Sequence, residues 1–152
     1  MIARSVSVGR LGALIGAIVV LAGAGLTVSR SLATDASYDP DSAVARSFED
    51  RTGVRLVRVA LTAGGGVIDI RYLVLDSTKA VETFENLGHP AVVDEDTGTQ
   101  LSTPWMVHAI HPKLNDAVTY AALLVNADGA VTSGGDVTVV MGDARLAHVP
   151  VS

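Results

Sequence analysis

Cysteine is absent from the chain. Its absence removes every disulfide and every thiolate nucleophile or metal ligand, so the folded part must stand on packing alone. Disulfide-free chains also occur outside the cytoplasm, so this leaves the compartment open. Acidic residues are missing before Asp35, where Arg4, Arg10 and Arg30 stand instead. Residues 34–152 therefore hold eight basic and sixteen acidic side chains, a net charge of −8. Such a charge repels phosphate backbones and anionic membrane surfaces, and no basic stripe with interleaved aromatics offsets it, which argues against a nucleic-acid partner. Also missing are GxSxG, SxxK and any Cys-His pairing, so no activated nucleophile is visible and the expectation is a protein that is not an enzyme. HExxH and comparable zinc spacings do not occur. No segment recurs with a period of 20 to 50 residues, which excludes a repeat array.

What is present begins with an uncharged run, LGALIGAIVVLAGAGLTV, over residues 11–28. As a helix it would span about 27 Å, enough for a thin bilayer core. Arg4 and Arg10 before it favour a cytoplasmic N-terminus, residues 1–10, and a C-terminal part outside the cytoplasm. Two fates compete: a single-pass transmembrane anchor, or the apolar core of a signal peptide cleaved after Ala33, where Ser31-Leu32-Ala33 forms a small-x-small triplet. The anchor is favoured, because the run is longer than a usual signal core and Arg30 sits awkwardly near the cleavage site. Gly12 and Gly16 form a GxxxG that would let two such helices approach closely, although Gly and Ala are also ordinary in export signals.

Residues 29–41, SRSLATDASYDPD, read as a polar linker, and residues 42–152 as one extracytoplasmic domain. A short helix is expected first, capped by Asp39 or Asp41, with Ala43, Val44, Ser47 and Phe48 as its stripe and Gly53 as its stop. VRLVRVALT and VIDIRYLVLD around Ala63-Gly64-Gly65-Gly66 predict a hairpin. In its second strand Ile68, Ile70, Tyr72 and Val74 share one face, and Asp69 and Arg71 the other. Ser77 to Leu87 predicts a brief helical crossover with a Ser/Thr cap. Strands follow at AVVD, PWMVHAIH, VTYAALLVN, DVTVVMG and RLAHVPVS, separated by turns at Asp94–Gly98, Asn126–Gly129, Ser133–Gly135 and Gly142-Asp143. About seven short strands with one or two short helices predict a mainly β domain, an immunoglobulin-like or cupredoxin-like β-sandwich.

For chemistry, Met106 and His108 would project from one face of a strand, a thioether and an imidazole that suit copper(I). His148 and Met141, on neighbouring strands, could complete such a site. The bland alternative is an ordinary strand face. His111 would point away from His108, and His89 belongs to no metal-spaced motif. Asp94-Glu95-Asp96-Thr97-Gly98 has the carboxylates and glycine of a calcium loop but not its later bidentate Glu, so a polar hairpin tip explains it better. The function expected is a non-catalytic, membrane-tethered binding or assembly domain that meets another envelope protein through sheet faces or edges. Copper handling through Met106, His108 and His148 is the alternative.

Overall fold

A computed structural model describes residues 38–86, 88–105 and 113–152. The apolar run 11–28, Met106, His108 and His111 lie outside these residues. Among the described residues no helix is long and apolar enough to cross a membrane.

The described residues are mainly β: among them seven strands form two antiparallel sheets, with two α-helices. Helix α1 (Ala43–Thr52) begins at Ser42, whose extended backbone lets its hydroxyl accept from Ala45 N at 3.1 Å. Asp39 instead accepts from Asp41 N, closing the turn ahead of the helix, so neither predicted aspartate is the cap. The inward stripe is Ala45, Phe48 and Thr52, spaced three and four apart, while Val44 lies round the helix and is 62% exposed. Gly53 ends α1 at φ 74°, its N–H donating to Glu49 O, and its own carbonyl accepts from Leu75 N and Asp76 N. Helix α2 (Ser77–Asn86) is capped by Asp76, whose Oδ1 accepts from Thr78 N and Lys79 N. The expected Ser/Thr cap is displaced because the helix starts one residue earlier, at Ser77 itself.

The first sheet has the order β1 (Val54–Thr62), β2 (Val67–Val74), β5 (Thr119–Val125); the second runs β4 (Gln100–Leu101), β3 (Ala91–Asp94), β6 (Asp136–Met141), β7 (Ala144–Pro150). The predicted hairpin is present, with Val54 opposite Val74 and Thr62 opposite Val67. Its ladder holds one irregularity: Leu56 pairs Tyr72 and Arg58 pairs Arg71, which leaves Val57 as an extra, half-exposed residue. The β6–β7 hairpin turns on Gly142 at φ 61°, as a two-residue turn with glycine first requires.

Both edges of the first sheet are covered by chain arriving from the second. Beyond β7, Val151 pairs in parallel with Val59, and Leu61 N donates to Ser152 O. Beyond β4, Pro104 pairs with Leu124, Trp105 N donates to Leu123 O and Val125 N donates to Thr103 O. Exposed backbone that could recruit another strand is thereby reduced. Between the sheets lies one core: Val54, Leu56, Val59, Ile68, Ile70, Tyr72 and Val74 from one side, Val92, Val137, Val139, Met141, Leu146 and Val149 from the other. Each such residue, fully buried, contributes on the order of 1.5–3 kcal/mol of transfer free energy.

Candidate functional site

Side chains alternate along β2, so with Ile68, Ile70 and Tyr72 in the core, Asp69 and Arg71 must stand on the outer face of the first sheet. Arg58 joins them because the irregularity at Val57 sets it directly opposite Arg71. Like charges placed directly opposite across a sheet repel. Asp69 answers that repulsion: Arg71 Nε donates to its Oδ2 at 3.1 Å and Arg58 Nη2 donates to the same oxygen at 3.3 Å. The carboxylate side chain is only 8% exposed, whereas those of Arg58 and Arg71 are 50% and 48% exposed. Among the described residues Asp69 is the one carboxylate paired with either guanidinium. The cluster therefore carries two positive charges against one negative in a domain whose total is strongly negative.

The same outer row continues across the sheet. Ala60 faces Asp69 on one side and Leu123 faces it on the other. Trp105, one residue past the Pro104–Leu124 pair, takes the place opposite Leu123 and is 50% exposed. Two strand spacings separate its backbone from that of Asp69, about 10 Å. An exposed tryptophan, a partly exposed leucine and two half-exposed arginines thus share the outer face of the first sheet. Tryptophan and arginine are enriched among the side chains that anchor protein interfaces. Alternation along β2 sets Asp69 and Arg71 on this face, as expected from the sequence, but does not group them with Arg58. A signal was there: Arg58 and Asp69 are charges set inside β-branched runs.

The outer face of the second sheet holds a different arrangement. Glu95, in the β3–β4 turn, accepts at Oε1 from Thr138 Oγ1 and from His148 N, both at 2.8 Å, while His148 Nδ1 lies 2.8 Å from Oε2. Burial works to raise the Glu95 carboxyl, but the His148 N–H, the Thr138 hydroxyl and the nearby imidazole outweigh it and hold the group below its ordinary value of 4.5. His148 sits at φ 58°, where Thr138 alone faces Ala147 and His148, and its carbonyl accepts from Tyr38 N. Glu95 is therefore a clasp joining the β3–β4 turn to β6 and β7.

Of the metal candidates, His148 is on this surface and engaged with Glu95, and Met141 is wholly buried in the core. The structure does not bring those two together. Met106 and His108 fall outside the described residues. Asp94 accepts from Thr97 N and Thr97 Oγ1, and Gly98 N donates to Asp94 O, which closes a hairpin tip. Among the described residues no three His, Asp or Glu side chains converge as a metal ion would need. An open trough of about 470 Å³ lies beside the Gly64–Gly66 turn, next to Asn126. Asn126 is spent on structure there: its amide donates to Gly65 O and Val131 O and its Oδ1 accepts from Val131 N.

No protein-family model matches the chain, nor does any curated protein or solved structure.

Proposed function

We propose that this chain is a non-catalytic binding domain, tethered through its N-terminal apolar segment, that docks another envelope protein on the outer face of its first sheet. The observation that carries the reading is the alignment of Trp105, Leu123 and the Asp69-held arginines on one face. Interfaces draw most of their energy from a few such anchors, with arginine and tryptophan prominent among them. The strand order supports an immunoglobulin-like sandwich over a cupredoxin-like one: β1, β2 and β5 stand as strands A, B and E, and β4, β3, β6 and β7 as C′, C, F and G. A sandwich of this kind hosts many roles, so the assignment rests on the site.

The test is site-specific photo-cross-linking of the full chain in cells, with a photoreactive residue at position 123 on the first sheet or at position 145 on the second. The expected result is a discrete protein adduct from position 123 and none from 145. Equal labelling from both positions, or none from either, overturns the reading. Stoichiometric uptake of copper(I), lost on Met106→Ala with His108→Ala, would replace it with metal handling through Met106, His108 and His148.

A further inference from the structure

We infer that Arg58 and Arg71 form a receptor for a carboxylate carried by an acidic segment of the partner; this rests on the binding role proposed above. The argument is one of charge and placement. One shared carboxylate holds two guanidiniums that the β1–β2 register sets face to face, and a single unit of positive charge is left over. An ion cluster with one nearly buried carboxylate is not required for stability, since an apolar cross-strand pair of similar volume often serves as well. What the cluster does achieve is to fix two planar donor groups side by side, both half exposed and drawn toward the face that carries Leu123 and Trp105. A guanidinium binds carboxylates through paired N–H donors, and fixing it beforehand lowers the ordering cost of doing so. The net charge of residues 34–152 is −8, so an acidic segment is repelled by the domain at long range and is drawn in only where positive charge is locally in excess, as it is here. Local attraction set against long-range repulsion favours docking where the charge excess coincides with apolar contact. Leu123, one strand spacing from Asp69, and Trp105, two spacings away, ask for an apolar side chain elsewhere on the segment that brings that carboxylate.

Trp105 is the one tryptophan in the chain, so its fluorescence reports binding at this face. The probes are an acetylated, amidated octapeptide with one leucine among alternating glutamate and alanine, its glutamine counterpart, and phosphatidylglycerol vesicles. At low salt the glutamate peptide should bind the full chain at least tenfold more tightly than the glutamine peptide, and the preference should fade at high salt. Arg58→Gln leaves Asp69 paired with Arg71, so the fold should survive while the preference disappears; Arg58→Lys should keep part of it. Equal binding of both peptides, or a preference unchanged in Arg58→Gln, overturns the inference. Vesicle binding that weakens in Arg58→Gln, with no preference between the peptides, overturns it in favour of a lipid surface. If cross-links still form from position 123 when the glutamate preference is absent, this inference fails and the docking face stands; if neither is seen, both fail.

Discussion

The Asp69 cluster predicts an asymmetry that ordinary surface ion pairs do not show. Replacing Asp69 by Asn removes the buried charge and leaves two guanidiniums that are half exposed and can be rehydrated. Two screened attractions of about 0.2–1 kcal/mol each are lost, and a repulsion of similar size appears. Relief from burying a carboxylate works the other way, so the net cost should be near 1 kcal/mol. Removing both arginines instead, as Arg58→Gln with Arg71→Gln, leaves Asp69 nearly buried and unpaired. For a wholly buried pair that situation costs about 3–5 kcal/mol; with the guanidiniums half exposed and solvent able to reach the carboxylate, about 2 kcal/mol is expected here. Adding Asp69→Asn to the double variant should then recover most of the loss, because the stranded charge is gone. Urea denaturation of the full chain and the three variants at pH 7, read as midpoint shifts at constant slope, measures all three quantities. The reasoning is refuted if Asp69→Asn costs as much as the arginine pair, or if the triple variant is no more stable than the double.

Two further outcomes follow from the helix junction and the clasp. At Gly53 a Cβ would come within 2.5 Å of Asp76 O and 2.9 Å of Ala80 N, at a φ of 74° that side chains rarely adopt, so Gly53→Ala should destabilise by about 3 kcal/mol or more, checked by thermal melting. Glu95→Gln should cost about 1–2 kcal/mol at neutral pH through lost charge-assisted hydrogen bonds. Because the Glu95 carboxyl is held low in the fold, its contribution is present above the ordinary value of 4.5 and is lost as the pH falls through the lower folded value. The stability curves of the two proteins should converge on that acid limb; a constant gap down to pH 2 would contradict the clasp.

How much of this could be read from the sequence depends on range. The β1–β2 hairpin, helix α2, strands β3, β5, β6 and β7 and the β6–β7 turn were legible, because β-branched alternation and positive-φ glycines act locally, whereas the two-residue β4 was not and the strand expected at 104–111 lies mostly outside the described residues. Helix α1 was legible in extent but not in phase, since Ser42, Asp39 and Asp41 are all competent caps and the choice depends on which face Phe48 buries. The candidate site was not legible. Asp69 and Arg71 alternate outward like any polar strand face, and nothing local says that Arg58, eleven residues before Asp69, would share its carboxylate. Nor does local pattern say that Trp105 joins the same face, since that follows from Pro104 pairing with Leu124 at the edge of a sheet completed only later in the chain.

The extra residue at Val57 is where sequence and site meet. In VRLVRV a regular ladder would keep Val54, Leu56 and Arg58 on one face, and with Leu56 in the core Arg58 would enter it too. Admitting two residues opposite Arg71 resets the alternation, so that Leu56 and Val59 are both buried and Arg58 emerges beside Arg71. Deleting Val57 should therefore be tolerated. The ladder would become regular, Leu56 would still face Tyr72, and Arg58 would still face Arg71. The deletion variant should melt cooperatively, within about 3 kcal/mol of the parent, and keep the glutamate preference seen by Trp105 fluorescence. Exchanging Val57 and Arg58 is the contrasting case, since it moves the guanidinium one residue further along β1 from Asp69 and should weaken that preference. A deletion variant that folds but loses the preference would show that the distortion itself, and not the cross-strand placement it permits, orients the arginine pair.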